Sequence, residues 1–153
     1  MSGLTSLSFR HHPIKIVAMS GTEEKNLAIV QSLYAAFARS DVPTLLAALT
    51  DDVEWILPGP PEIIPFAGVH RGPEAVLKYF VILNETLEFE KLEAQEFLAR
   101  DDKVIVLGRS RDRMKSTGRS TGNEWAAAIT LREGKIARYQ VYEDTAALAS
   151  ALC

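Results

Sequence analysis

Several residue types that would indicate a particular chemistry are scarce in this chain. Cys153, the last residue, is the only cysteine, so an intrachain disulfide cannot form and a multi-cysteine metal site is excluded. A three-histidine metal centre would need His11, His12 and His70, which are all the histidines present, so we expect no metal. No stretch approaches the roughly 20 apolar residues of a membrane helix. The net charge of −3 lacks the basic excess of a nucleic-acid binder. We therefore expect neither membrane nor nucleic acid as a partner.

The length and composition are those of one ordinary globular domain. The chain has 153 residues, of which 47% are hydrophobic and 24% are charged, close to the averages for folded domains. Residues 1–18 carry Arg10 and Lys15 but no acid, and they lack the continuous apolar run and cleavage site of a secretory signal. We expect a flexible extension, or a mis-set start ahead of Met19, on a cytoplasmic protein whose single domain spans residues 19–153.

The first half of the chain has a mainly helical pattern. Apolar residues recur at helical spacing from Leu27 to Phe37, which predicts a first helix starting near Thr22. Asp41 can cap a short second helix. Pro73 suits the first turn of a third helix, because its missing N–H has no intrahelical partner there.

The second half has the pattern of a meander of long strands. Before it, Val53–Leu57 is predicted to be a strand, followed by an irregular loop over Pro58–Gly72, which holds four prolines and three glycines. A type I turn with a glycine bulge is predicted at Glu133–Lys135, and Asp144 can cap a final helical turn. The meander strands are predicted over Leu87–Arg100, Lys103–Met114, Gly122–Arg132 and Ile136–Tyr142. Helices first and an antiparallel sheet afterwards predict an α+β fold.

Five segments occur in an order that is typical of one superfamily. They are VQSLYAAFARSD (Val30–Asp41), LTDDVEWILPG (Leu49–Gly59), GVHRGPEAVLKYF (Gly68–Phe80), STGR (Ser116–Arg119) and GKIARYQVYED (Gly134–Asp144). In this order they resemble the nuclear transport factor 2-like superfamily, and within it the SnoaL-like and ketosteroid-isomerase-like proteins. The resemblance implies a cystatin-like cone, in which a curved antiparallel sheet packs on three N-terminal helices around a mostly apolar pocket. It also implies a homodimer. Because the superfamily includes isomerases, polyketide cyclases, epoxide hydrolases and binding modules, the fold does not decide the function.

The residues that act in the best-known members of the superfamily are mostly missing. The resemblance places the three catalytic positions of ketosteroid isomerases at apolar residues, namely Leu33, Leu57 and Ala127. Residues 109–144 look closer to the limonene epoxide hydrolases, and Asp112 matches the aspartate of their arginine-x-aspartate feature. Their arginine falls on Ser110 and their second aspartate on Val141, so that triad is incomplete. The last-strand base of SnoaL-type cyclases is also missing.

Strand pairing predicts one charged face of the sheet. If Asp101-Asp102 is a two-residue hairpin turn, Glu90 faces Arg113 across the two strands. Opposite charges across strands stabilise a sheet by roughly 0.2–1 kcal/mol per pair. Such pairs explain the basic run in residues 109–119 without any nucleic acid.

The other face is predicted to be the inner one, although it carries polar residues within a core pattern. The same register pairs Lys91 with Asp112, and Glu93 with Ser110. An unpaired polar group on a buried face costs roughly 2–7 kcal/mol. These residues are therefore expected either to pair with each other or to contact a ligand.

Two carboxylates are the candidate catalytic groups. The meander puts Trp125 on the inner face between Asp112 and Glu143, whose backbones are then about 10 Å apart because neighbouring strands lie about 4.8 Å apart. A carboxyl beside an indole in an apolar cavity has a raised pKa, which suits general acid or base catalysis. The alternative is that Lys91 neutralises Asp112 while Glu143 lies in water at the pocket rim.

The remaining candidates have an ordinary structural explanation beside the functional one. Trp55 and Tyr139 are candidate ligand contacts, but core packing also explains them. Tyr34 lies one place after the helix-one tyrosine position of the isomerases, and a core tyrosine is the default. His70 could act at the pocket mouth or be an exposed loop histidine.

Two hypotheses from different classes follow. In the first, the chain binds a small hydrophobic molecule with a polar end and transfers protons, in an isomerisation, cyclisation or ring-opening hydrolysis. Asp112 is the base, with help from Glu143, Tyr139 or Trp125, and no cofactor is needed because tuned side chains suffice. In the second, the chain is a non-catalytic ligand-binding or dimerisation module, which the apolar residues at the isomerase positions favour.

Overall fold

The computed structural model describes residues 18–153. The helices are α1 (Gly21–Ala38), α2 (Val42–Ala47), α3 (Gly72–Thr86) and α4 (Thr145–Leu152). The strands are β1 (Leu49–Leu57), β2 (Gly68–Arg71), β3 (Leu87–Arg100), β4 (Lys103–Met114), β5 (Ser120–Arg132) and β6 (Lys135–Glu143). The predicted α+β class is confirmed, whereas the predicted extension falls almost wholly outside the described residues. Within residues 18–153, none of the helices is long and apolar enough to cross a bilayer.

Local sequence signals explain where the helices begin. Ser20 and Glu23 form a capping box at α1: the Ser20 hydroxyl accepts the Glu23 N–H at 3.1 Å, and the Glu23 carboxylate accepts the Ser20 N–H at 2.9 Å. Asp41 caps α2 and Asp144 caps α4, each accepting a backbone N–H three residues further on, at 3.2 Å and 3.0 Å. Both of these predicted caps are confirmed.

The six strands form one curved, unclosed sheet in the order β2-β1-β6-β5-β4-β3. The expected sheet was antiparallel throughout, but β1 runs parallel to β6 while the other neighbours are antiparallel. The expected loop over Pro58–Gly72 is also only partly right. The last proline of this segment is Pro65, so every residue of Gly68–Arg71 has a backbone N–H. These four residues form strand β2, which pairs with β1.

The turn between β5 and β6 differs from the predicted type. Glu133 and Gly134 both have positive φ angles, 50° and 79°, and Arg132 pairs directly with Lys135. Two positive φ angles in a two-residue loop define a type I′ turn, which matches the twist of the flanking strands. The irregular pairing lies instead on β6, where Ala137 is skipped between the pairs Leu131–Ile136 and Thr130–Arg138.

The register of β3 against β4 follows the prediction only near the turn. Arg100 pairs with Lys103 as expected, but the pairing then skips Gln95 and later Glu90. Each skipped residue is a β-bulge, an extra residue on one strand that shifts the register by one and bends the strand. The predicted register pairs residues one for one outward from the Asp101-Asp102 turn, so it cannot include such extra residues.

The two bulges overturn the predicted inner-face pairs. Asp112 lies opposite Phe89 and not opposite Lys91. Ser110 lies opposite Leu92, which is apolar. The idea that Lys91 neutralises Asp112 is therefore wrong, because Lys91 is exposed on the other side of the strand.

The outer face of the same strands carries the ion pairs. Glu93, which was expected on the inner face, bonds Arg109 at 2.9 Å. Arg113 pairs with Glu88 at 2.7 Å rather than with Glu90. Opposite charges thus account for the three arginines of the basic run that lie on β4, as predicted, although with different partners. Lys115 and Arg119 donate to backbone carbonyls instead.

Candidate functional site

A narrow cavity lies between the inner face of the sheet and helices α1 and α3. Its volume is about 60 Å³, room for a few water molecules or the polar end of a small molecule. Most of its wall is aromatic or aliphatic, and three polar side chains from β4 and β6 reach it, namely Ser110, Asp112 and Glu143. The aromatic lining residues are Tyr34, Phe37, Phe66, Tyr79, Phe89, Trp125 and Tyr139.

Stacked aromatic pairs build one wall. Tyr34 stacks on Trp125 with ring centroids 5.7 Å apart, and Trp55 stacks on Tyr139 at 3.8 Å. The hydroxyls of Tyr34 and Tyr139 are 3.3 Å apart, within hydrogen-bond reach. Burial raises the pKa of Tyr139 to about 12 and raises that of Tyr34 as well. Both phenols therefore keep their protons at neutral pH and can donate a hydrogen bond.

Asp112 is a buried carboxyl with an incomplete set of partners. Its side chain is 2% exposed, and its Oδ1 atom has no hydrogen-bond partner within the described chain. Burial raises its pKa to about 6, while neighbouring Ser110 lowers it by a smaller amount. The indole N–H of Trp125 is likewise buried without a partner in residues 18–153. The cavity lining thus holds one unused acceptor and one unused donor.

Glu143 is the second carboxyl of the cavity. Burial and then the negative charge of Asp112 raise its pKa to about 7. Because two nearby carboxylates repel each other, the pair holds about one proton between pH 6 and pH 7. An ionised carboxylate and a protonated carboxyl can therefore face the same small volume.

Asn123 holds Glu143 in place and was missed by the sequence analysis. This buried amide donates from Nδ2 to Glu143 Oε1 at 2.9 Å, and its Oδ1 accepts the backbone N–H of Asp144 at 3.2 Å. The second bond fixes which way the amide points. Strand alternation could have identified it, since Asn123 lies two residues before inward-facing Trp125.

Trp125 does not lie directly between the two carboxyls as predicted. It pairs with Glu143 on one side and with Gly108 on the other, whereas Asp112 pairs with Thr121. The indole ring occupies the space above Gly108, where an added Cβ atom would lie 2.3 Å from Trp125 Cζ2. That Cβ would also lie 2.3 Å from a β3 carbonyl oxygen, so this position requires glycine.

Three of the predicted ligand contacts do not line the cavity. Trp55 is buried behind Tyr139. His70 is on β2 with its Nε2 atom 2.8 Å from the Phe66 carbonyl oxygen. Lys91 is exposed. The predicted site residues that the structure does bring together are Tyr34, Ser110, Asp112, Trp125, Tyr139 and Glu143. No cluster of three or more His, Cys, Asp or Glu side chains suited to a metal occurs in the described part of the chain.

Comparison with known proteins identifies the family. A sequence profile of the SnoaL-like domain matches residues 30–139. An NTF2-like protein of Burkholderia xenovorans is 38% identical, with 89% of this chain and all of that chain covered and a TM-score of 0.79. An NTF2-like protein of unknown function from Burkholderia pseudomallei is 27% identical over 88% of this chain and 98% of its own, with a TM-score of 0.78. An uncharacterised Mycobacterium tuberculosis protein is 28% identical over 84% of this chain and 97% of its own. The chain therefore belongs to the SnoaL-like domain family of the NTF2-like superfamily.

Proposed function

We propose that the chain is a cofactor-independent acid–base enzyme acting on a small, mostly apolar molecule with a polar end. One observation carries this proposal: two carboxyls with pKa values of about 6 and about 7 share a narrow cavity whose other walls are mainly aromatic and aliphatic. Groups that titrate near neutral pH are the efficient proton donors and acceptors there. Isomerisation, cyclisation and ring-opening hydrolysis all contain such a proton transfer.

Asp112 is the base in this proposal. Its lower pKa leaves it ionised when Glu143 still holds a proton. The unused Oδ1 atom can accept a proton from a substrate C–H or O–H group without breaking an existing hydrogen bond. A carboxylate with few hydrogen bonds in an apolar cavity is also a stronger base than one in water, because burial disfavours its charge.

Glu143 is the acid that completes the transfer. Asn123 already occupies Oε1, which leaves Oε2 to carry the proton toward a substrate oxygen. The unpaired indole N–H of Trp125, and whichever phenol of the Tyr34–Tyr139 pair does not donate to the other, are additional donors in the cavity lining for a developing negative charge. These side chains supply both the proton acceptor and the proton donors that the reaction needs, so the proposal needs no cofactor.

Proton abstraction is tested with 5-nitrobenzisoxazole, a general probe for a base in an apolar cavity. Asp112 would take the C3 proton as the ring N–O bond breaks, and protonated Glu143 would give its proton to the phenolate oxygen that forms. We expect Asp112→Asn to lower kcat/KM by about 100-fold, the contribution of a positioned base. Equal rates for the wild-type protein and Asp112→Asn would contradict the proposal.

A non-catalytic binding module is the second candidate function. The observation in its favour is that the three isomerase positions hold Leu33, Leu57 and Ala127, all apolar and buried. This candidate predicts that phenol binds equally well to the wild-type protein and to Asp112→Asn, with no turnover of the isoxazole by either.

We also propose that two copies associate through the outer face of the sheet. An apolar row crosses three strands there, because Leu107 pairs with Ala126, which pairs with Tyr142. Tyr142 is 54% exposed and Leu107 is 36% exposed. Light scattering is expected to give twice the chain mass for the wild-type protein and the monomer mass for Tyr142→Glu. A monomeric wild-type protein would contradict this association.

A further inference from the structure

A wide groove lies beside the cavity. It is bounded by the end of α1, by α2, by one side of α3 and by Glu88–Ala94 of β3, and its volume is about 820 Å³. That stretch of β3 contains one of the two bulges and ends where the other begins. Bulges bend a strand away from its neighbours, and the groove lies along this bent stretch.

The groove and the cavity adjoin each other. The same six side chains form part of both walls: Tyr34, Phe37, Leu83, Leu87, Phe89 and Leu92. Tyr34 and Phe89 are only half-buried. Such side chains can change rotamer without any change in the backbone. A molecule in the groove is therefore separated from the cavity that holds Asp112 only by these side chains.

The helical wall of the groove is apolar and exposed. Leu77 is 43% exposed and Val81 is 52% exposed, and both lie on α3 beside Phe80. An exposed apolar patch with a polar rim commonly marks a binding surface. The cavity, at about 60 Å³, holds only the end of a molecule, whereas the groove has room for its body.

The charges around the groove already have partners. Glu88 and Glu90 pair with arginines of β4, at 2.7 Å and 3.4 Å. Lys91 lies 3.7 Å from Glu93, and Lys115 donates to the carbonyl of Asn84 at the end of α3. Asp41 caps α2 and also pairs with Arg39 at 3.2 Å. Four of these five charges thus lie beside an opposite charge, and the fifth, on Lys115, is held by a backbone carbonyl, so the groove favours a neutral occupant over an anion or a cation.

We infer that the ligand of this site is elongated, with a polar head in the cavity beside Asp112 and Glu143 and a neutral apolar body along the groove. This inference rests on the proposed function for the position of the head. The occupant of the groove is the body of that same small molecule and neither a peptide nor a second copy of the chain.

A series of 4-alkylphenols tests the inference on the full-length protein. Calorimetry measures the affinity of phenol and of its 4-ethyl, 4-butyl and 4-hexyl derivatives. Each methylene that leaves water for the groove should raise the affinity about fourfold. Val81→Glu places a carboxylate in the groove wall and should lower the hexylphenol-to-phenol affinity ratio by about tenfold or more.

Leu98→Glu is the matched control, because Leu98 is 56% exposed on β3 and does not line the groove. The inference holds if Leu98→Glu keeps the wild-type ratio while Val81→Glu loses it. It fails if affinity stops rising at ethylphenol, or if Val81→Glu leaves the ratio unchanged. If a second copy of the chain occupied the groove instead, Val81→Glu would convert a dimer to a monomer, and the alkylphenol affinity would not depend on the length of the alkyl chain.

The same data separate this inference from the proposed function. Failure of the proposed function appears as unchanged isoxazole turnover in Asp112→Asn, whatever the alkyl series shows. Failure of the groove inference appears as a flat alkyl series, even where Asp112→Asn abolishes turnover.

Discussion

The polar side chains on the two faces of strand β4 differ in whether they have partners. On the outer face, Arg109 and Arg113 each bond a carboxylate of β3, at 2.9 Å and 2.7 Å. On the inner face of the same strand, Asp112 keeps an oxygen without any partner in the described chain and is 2% exposed. Paired surface charges contribute little to stability, whereas a buried carboxyl with few partners costs stability. Carboxyls whose pKa is shifted by burial are concentrated at functional sites.

The largest expected effect comes from Gly108, whose missing side chain leaves room for the Trp125 ring on the inner face. Gly108→Ala would place a Cβ atom 2.3 Å from the Glu93 carbonyl oxygen, which is backbone and cannot rotate away. We expect a loss of about 3 kcal/mol or more in unfolding free energy, beyond the usual range of overpacking. Urea denaturation measures it, with Gly122→Ala, which has open space around it, as the control. Equal stability of the two variants would contradict the close packing.

The second effect is a pH-dependent gain in stability when the buried charge is removed. The pKa of Asp112 is raised from 3.8 to about 6 in the folded state, so the folded state binds more protons than the unfolded state between these values. The contribution of Asp112 to stability is therefore present below pH 4 and is lost as pH rises through about 6. The lost free energy is on the order of 3 kcal/mol.

Asp112→Asn cannot ionise, so its unfolding free energy relative to the wild-type protein should rise between pH 4 and pH 8. Denaturation curves across this range measure the difference. Glu88→Gln on the outer face is the control, and its difference from the wild-type protein should stay within about 1 kcal/mol throughout. A flat difference for Asp112→Asn would mean that its carboxyl is not buried as described.

The third effect concerns the amide that supports Glu143. Asn123→Ala removes the donor that favours the ionised carboxylate and leaves the Asp144 N–H unpaired. We expect the pKa of Glu143 to rise above about 7, with a loss of about 1–3 kcal/mol in stability. Asp144→Ala, which removes the α4 cap but not the amide, should cost about 1 kcal/mol and leave that pKa unchanged. An unchanged pKa in Asn123→Ala would contradict the supporting role.

The smallest effect belongs to the outer face. Arg113→Ala breaks a pair whose side chains are 37% and 53% exposed, and we expect a stability loss of about 0–1 kcal/mol. The loss should shrink further at high salt, because salt screens exposed charges. A double-mutant cycle with Glu88→Ala measures the pair, and a coupling well above 1 kcal/mol would remove the contrast between the two faces.

Most of the fold could be predicted from the sequence because its signals are local. The turn at Asp101-Asp102 and the strands on either side follow from alternation and turn residues, and Asp41 and Asp144 are local caps. The register between β3 and β4 could not be predicted. Two bulges, at Glu90 and Gln95, each shift the pairing by one, and no residue type there requires a bulge.

The candidate site was predictable to the extent that it depends on alternation. Asp112, Trp125, Tyr139 and Glu143 share the inner face because every second residue of a strand points the same way. Lys91 was misplaced because of the bulge at Gln95, which pairs it with Arg111 on the outer face instead of with Asp112. Where a bulge forms, and therefore on which face Lys91 lies, depends on tertiary packing and cannot be predicted from a short segment of sequence.

The most direct test of the account is the titration of the two cavity carboxyls by carbon-13 NMR. The signals are assigned by their absence from spectra of Asp112→Asn and Glu143→Gln. We predict midpoints of about 6 for Asp112 and about 7 for Glu143, and a fall in the Glu143 midpoint in Asp112→Asn because the repelling charge is gone. Midpoints near the ordinary values of about 3.9 and 4.3 would mean that the carboxyls are solvated, and the acid–base account would be wrong.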